Sequence, residues 1–228
     1  MPDKTNAVLI IGASRGIGFE LASQYRKDGW QVLGTARDAA GLSKLEGIGA
    51  KAIKLDATAT DAPEALKAGI GSAPLDVAIF CAGIYGPRTQ QLEPATEADF
   101  DAVMRTNVLA AMRLAPLTAP ALARNKGKLA VISSRMASIG IRNSPSGWLY
   151  RASKAALNSA LKDMALVLGP QGVTCVTFHP GWVRTDMGGA GADIDVSTSV
   201  SGIRGTLAAL KPEQNASFLN YDGATIPW

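Results

Sequence analysis

The sequence predicts an α/β chain folded as a doubly wound parallel sheet of about seven strands, with helices on both faces. Three observations carry this expectation. Apolar runs of strand length alternate with segments of helical period, the first run leads directly into a glycine-rich turn, and no repeat, low-complexity stretch or linker interrupts the pattern. The 228 residues are 47% hydrophobic and 18% charged, enough apolar material for one buried core, so residues 1–228 read as a single domain.

In chain order, strands are expected over residues 7–11, 31–35, 51–55, 75–80, 128–133, 173–178 and 216–219. Several are apolar throughout, as parallel strands covered on both faces should be. Helices are expected over 16–28, 39–45, 62–70, 97–124, 149–168 and 196–210, with Gly29, Gly127 and Gly169-Pro170 marking ends. Right-handed crossovers between such units give a doubly wound sheet, and ligands of such sheets sit beyond the carboxyl ends of the strands.

The net charge of +4 comes from Lys and Arg scattered along the chain without a run of like charge, which describes a solvated surface and excludes a nucleic-acid tract. Met1-Pro2-Asp3-Lys4-Thr5-Asn6 lacks the apolar core of a signal peptide, and no stretch of about 18 apolar residues follows, so a soluble cytoplasmic protein without membrane association is expected. Cys81 and Cys175 lie in apolar stretches and read as buried free thiols in a reducing compartment. A lone His179, with no Cys or carboxylate at ligand spacing, predicts no metal site.

Chemistry enters at Gly12-Ala13-Ser14-Arg15-Gly16-Ile17-Gly18, between the first strand and a helix whose apolar face is Phe19, Leu21, Ala22 and Tyr25. Glycines let the backbone turn sharply and approach a pyrophosphate, while the N–H groups and dipole of the new helix favour the anion. The turn is expected to be a dinucleotide site of Rossmann type, with an ordinary strand-helix turn as the alternative. At the end of the second strand, Ala36 stands where an NAD-selective acid is expected, and Arg37 follows it. With Arg15 available from the turn, two guanidiniums facing a 2'-phosphate favour NADP(H) over NAD(H). Asp38 leaves an alternative open: it either accepts the 2'-hydroxyl or caps the next helix.

Tyr150-Arg151-Ala152-Ser153-Lys154 places a phenol and an ammonium at i and i+4 on one helical face. A nearby ammonium stabilises a phenolate and lowers its pKa, making Tyr150 a candidate acid-base group. Together with Gly12, Gly16 and Gly18, then Cys81-Ala82-Gly83, Asn107, Ser133-Ser134, and Pro180-Gly181-Trp182-Val183-Arg184-Thr185-Asp186-Met187, these residues occur in an order that resembles the classical short-chain dehydrogenase/reductase family over nearly the whole chain. The phrase from Tyr150 to Asn158 and the stretch from Tyr221 to Trp228 are similar to the sniffer-type carbonyl reductases and the C-signal proteins.

The resemblance implies a hydride transfer between NADP(H) and a carbonyl or alcohol carbon. Tyr150 would protonate the carbonyl oxygen, Ser134 would hydrogen-bond it, Lys154 would hold the nicotinamide ribose and lower the pKa of Tyr150, and Asn107 would anchor a relay water. Cofactor contacts would come from Gly12, Ser14, Arg15, Gly16, Ile17, Gly18, Arg37, Ala82, Gly83, Asn107, Tyr150 and Lys154. Asp56 would meet the adenine, and Pro180, Gly181, Val183 and Thr185 would lie at the nicotinamide.

The chain departs from the family pattern at several points. The usual spacing to the tyrosine falls on Ala137, next to Ser138; Ser134 requires a longer loop, which Pro145, Ser146 and Gly147 suit, and Ser133 and Ser138 remain alternatives. Phe80-Cys81 stands where two asparagines are common, and Cys81 reads as packing. His179 reads as a hydrogen-bonded structural residue, with a proton carrier as the alternative. Residues 183–196, with Gly188, Gly189 and Gly191, form an expected substrate loop, mobile when empty.

Ile84, Tyr85, Met136, Trp148, Trp182 and Met187 are candidate lining for a small apolar carbonyl substrate. Ala152, Ala155, Ala156, Ser159 and Ala160 suit a homodimer contact or packing on the chain's own sheet. Two other functions compete: a cofactor-binding signalling protein of C-signal type with little turnover, and a nucleotide-sugar epimerase or dehydratase, for which too little chain follows Val173.

Overall fold

The computed structural model describes residues 5–228. Its seven strands are β1 (Ala7–Ile11), β2 (Gln31–Ala36), β3 (Lys51–Lys54), β4 (Val77–Phe80), β5 (Lys128–Ile132), β6 (Thr174–His179) and β7 (Ser217–Asn220). They form one sheet in the order β3-β2-β1-β4-β5-β6-β7, and every pairing is parallel. The order reverses between β1 and β4, and the crevice of a doubly wound sheet opens at that reversal.

Strand alternation divides the core into two layers. Leu9, Ile11, Leu33, Phe80, Leu129 and Val131 face one side, where they pack on α3 (Ala62–Ile70) and α7 (Trp148–Leu168) through Leu66, Leu157 and Leu161. Val8, Ile10, Val32, Ile79, Ile132 and Phe178 face the other, against α1 (Gly16–Lys27), α2 (Ala39–Gly47) and α8 (Val196–Ala209) through Leu21, Leu45 and Ile203. Burying a side chain of this size stabilises by about 1.5–3 kcal/mol, so both faces of each strand must be apolar.

The predicted elements lie within a residue or two of the observed ones, with one correction. The continuous helix expected over 97–124 is broken into α4 (Glu97–Met104), a π turn (Arg105–Leu109), α5 (Ala110–Leu114), a 3-10 turn (Ala115–Thr118) and α6 (Ala119–Ala123). Pro116 and Pro120 each remove a backbone donor and disturb the helical ladder. The π turn carries Asn107, and such turns concentrate at functional sites. Ala216 adopts a left-handed φ of 66°, which delays the start of β7 to Ser217. On α7, Ala160 packs inward while Ala152 and Ser159 face outward.

Candidate active site

β1, β4, β5 and β6 deliver their carboxyl ends to one crevice. Gly12, directly after β1, has φ of 88°, and a Cβ there would lie 2.7 Å from the Ala82 nitrogen. Glycine therefore allows the β4 loop to cross the turn. Arg15 precedes α1 without a side-chain cap, and no acid stands in the helix's first turn. The helix itself thus supplies no carboxylate to its orphan N–H groups, which fits a dinucleotide pyrophosphate. Ile17 reaches from this helix into the crevice, and Gly18 is buried in it.

At the second strand the structure separates the acid from the arginine. β2 ends at Ala36, and the Asp38 carboxylate accepts from Gly41 N at 2.7 Å, so Asp38 caps α2. Arg37, directly after β2, is exposed, and Ser14 in the glycine turn is partly covered. Asp56, beyond β3, accepts from Thr58 N and Oγ1 at 2.9 and 2.7 Å. Those bonds hold its carboxyl below the usual range, with a smaller contribution from the Arg37 charge. Arg15 pairs with Asp186 at 3.1 Å, an exposed contact that adds little stability.

Tyr150 and Lys154 sit one turn apart on α7, both buried. The Lys154 ammonium donates to the Ile132 carbonyl at 2.9 Å and lies 5.7 Å from the centroid of the Tyr150 ring. Burial lowers the Lys154 pKa to about 8, and the nearby Cys81 thiol opposes that shift. Burial also pushes the Tyr150 phenol up to about 12, a hydrogen bond with Ser134 opposes it, and Tyr85 adds to it. The ammonium at i+4 therefore does not hold the phenol low here; desolvation outweighs it. Tyr85 stacks on Tyr150 with centroids 4.5 Å apart.

Asn107 is fully buried, and its side chain ties three elements together. Its Oδ1 accepts from Ile84 N at 2.8 Å, while Nδ2 donates to Ile84 O at 2.8 Å and Ser153 Oγ at 2.9 Å. Both amide protons are used, so the side chain has no donor left for a water. Gly83 lies beneath this network: a Cβ there would stand 3.2 Å from Asn107 Oδ1 and 3.3 Å from Lys154 Nζ.

The three serines have different surroundings. Ser134, two residues beyond β5, accepts from Met136 N at 3.1 Å and shares the crevice wall with Tyr150. Ser133 also lines the crevice, with its hydroxyl 3.5 Å from the Lys154 carbonyl. Ser138 points elsewhere, donating to the carbonyls of Pro227 and Trp228 at 2.5 and 3.2 Å.

Ile17, Ser133, Ser134 and Tyr150 line a cavity of about 960 Å³, whereas Asp56, Asn107, Ser138 and Lys154 are not part of its lining. Pro180, Gly181, Val183 and Thr185 form its floor after β6, and Tyr85, Met136, Trp182 and Met187 supply apolar wall. Ile84 and Trp148 do not line it, because Ile84 is held by Asn107 and the Trp148 indole donates to Glu93 O. The loop over residues 183–196 is tied down. Val183 bridges to Ile194, Trp182 Nε1 donates to Gly188 O at 2.9 Å, and Arg88 donates to Met187 O at 2.6 Å.

The sequence reading missed several lining residues: Arg88, Arg135, Asn143 and Arg151. Arg135 and Arg151 each directly follow a residue singled out for chemistry, Ser134 and Tyr150, and that adjacency was the available signal. His179 closes β6 within the cavity wall, and its Nδ1 has no hydrogen-bond partner among the described residues, contrary to a hydrogen-bonded structural role through that nitrogen. Burial pushes both cysteine thiols up to about 12, as packing residues require. Among the described residues, no group of three or more His, Cys, Asp or Glu gathers as a metal site, and no helix is long and apolar enough to cross a membrane.

Comparison with known proteins places this geometry. C-signal of Myxococcus xanthus is 36% identical over 156 residues, covering 68% of this chain and 93% of that protein. The carbonyl reductase Sniffer of D. melanogaster superposes with a TM-score of 0.90 at 29% identity, covering 99% of this chain and 100% of that one. A short-chain dehydrogenase/reductase from Burkholderia multivorans, solved with bound NADP, gives 0.88 at 32% identity over 99% and 100% of the two chains. The family profile described as short chain dehydrogenase matches residues 6–193, and the chain belongs to that family.

Proposed function

We propose that the protein reduces the carbonyl group of a small compound with NADPH. The observation that carries this reading is the convergence of Tyr150 and Ser134 on one crevice, with Lys154 buried behind Tyr150 on the same helix and Ile17, from the uncapped N-terminus of α1, lining the same crevice. The NADP bound to the Burkholderia relative and the carbonyl reductase activity in Sniffer's description support it.

In this reading Gly12, Ser14, Gly16, Ile17 and Gly18 hold the pyrophosphate, Arg15 and Arg37 read the 2'-phosphate, and Asp56 meets the adenine. Ala82, Gly83, Asn107, Tyr150 and Lys154 hold the nicotinamide ribose side, with Pro180, Gly181, Val183 and Thr185 at the ring. Bound NADPH supplies the hydride. Tyr150, protonated because its pKa stands near 12, donates its proton to the carbonyl oxygen. Ser134 hydrogen-bonds the same oxygen as negative charge develops on it. Lys154, with a pKa near 8, is mostly protonated at neutral pH and offsets the phenolate left on Tyr150. Asn107 acts as a positioning residue, fixing the β4 loop against α7.

Fluorescence titration with NADPH and NADH, followed by a panel of carbonyl compounds, tests this reading. Tight NADPH binding and turnover are expected, and Tyr150→Phe should retain binding while losing about 10²–10⁴-fold in rate. A second reading is favoured by the identity to C-signal: a cofactor-binding signalling protein with little turnover. Tight NADPH binding with no oxidation across the panel would select it.

A further inference from the structure

The crevice wall around Tyr150 carries charge of one sign. Arg88, Arg135 and Arg151 line it, and among the described residues no aspartate or glutamate does. Arg142 adds positive charge beside Arg151. Asp186, next to the lining residues Thr185 and Met187, is paired with Arg15 at 3.1 Å. Two of the three lining guanidiniums are committed to neutral partners. Arg151 is buried and donates to Ser146 O at 2.8 Å, while Arg88 donates to Met187 O at 2.6 Å and lies 4.8 Å over the Tyr85 ring.

The Arg135 carbonyl accepts from Ser138 N at 3.1 Å, but its guanidinium has neither a hydrogen bond nor an ion pair among the described residues. Arg135 follows Ser134 in the chain, opens the short turn Arg135–Ala137, and projects its field onto His179 across the cavity wall. A concave site lined by uncompensated guanidiniums concentrates anions, and a guanidinium forks onto a carboxylate with two charge-assisted bonds. A neutral ketone would leave that field unanswered. Tyr85, Met136, Trp182 and Met187 meanwhile offer apolar surface for the rest of the molecule.

We infer that the substrate is an anionic carbonyl compound, an oxo acid in its simplest form, whose carboxylate is received by Arg135 while its carbonyl lies at Tyr150 and Ser134. Arg88 and Arg151 strengthen the field, and Arg135 is the specificity residue. The inference rests on the carbonyl-reducing reading of this crevice and narrows its substrate class.

The test is calorimetric titration with three oxo acids of increasing chain length, phenylglyoxylate, benzoylpropionate and benzoylbutyrate, each against its methyl ester. Titrations are run with saturating NADP and again on the free protein. With saturating NADP the cofactor's own phosphates are already in place and cannot account for a preference, while the free protein keeps the measurement independent of cofactor binding and turnover. At least one acid is expected to bind about ten-fold or more tightly than its ester. The preference should shrink at high salt and collapse in Arg135→Gln.

If every ester binds as well as its acid, the inference is overturned. If the acids are preferred equally in Arg135→Gln, Arg135 is not the receiving group and the assignment falls. Failure of the underlying reductase reading has a different signature: absence of NADPH binding, or binding without oxidation on the carbonyl panel.

Discussion

His179 should make stability depend on pH in a defined window. It is the chain's one histidine, so its titration is read without overlap in the untagged protein. Burial pushes its pKa down from the ordinary 6.5 to about 4, and the Arg135 charge adds to that effect. Between those values the unfolded chain binds a proton that the folded chain does not. Stability therefore rises with pH across the window and is lost as pH falls through it. At about 1.4 kcal/mol per pH unit, the gap amounts to about 3 kcal/mol, most of it lost between pH 6.5 and 4.5. Urea denaturation of wild type and His179→Asn at pH 7 and pH 4.5 measures this as a double difference, in which the carboxylates common to both proteins cancel. Wild type should lose about 2 kcal/mol more than the variant over that interval, and the imidazole resonance of the folded protein should titrate near pH 4. Parallel losses in the two proteins, or an imidazole titrating near 6.5, would refute the reasoning that desolvation governs this residue.

Arg37→Ala should weaken NADPH far more than NADH in fluorescence titrations, because only the phosphorylated ribose gives the guanidinium an anion to fork onto. Equal weakening would remove Arg37 from that role. Ser138→Ala should lower stability by about 1 kcal/mol in urea melts, since its hydroxyl holds the Pro227 and Trp228 carbonyls, while kcat/KM stays at the wild-type value. A hundred-fold loss of kcat/KM would instead move the carbonyl-binding role from Ser134 to Ser138.

The fold and the chemical core of the crevice were legible in the sequence because both are written in local pattern. Apolar runs such as Ala7–Ile11 and Val77–Phe80 can be satisfied only by strands covered on both faces, and the glycine turn marks where the first helix begins. Tyr150 and Lys154 are brought together by helical spacing, which needs no knowledge of the rest of the chain. The break in the helix over 97–124 was readable in part, since Pro116 and Pro120 announce it, but the π turn at Asn107 depends on the tertiary pairing of that residue with Ile84 and Ser153.

Tertiary structure decided what sequence spacing cannot express. Desolvation sets the Tyr150, Lys154 and His179 pKa values, and burial in this fold exists only after the sheet and α7 have packed. Folding also resolved the acid at 38, whose backbone partner three residues on makes it a helix cap, and turned Ser138 toward the Pro227 and Trp228 carbonyls. The charge of the crevice is the largest such difference. In the sequence Arg88, Arg135 and Arg151 are three separated residues among scattered surface cations, whereas the loops after β4 and β5 and the start of α7 bring them to one wall. Their common field arises from that convergence in space, because Coulomb interactions depend on distance through the fold and not along the chain.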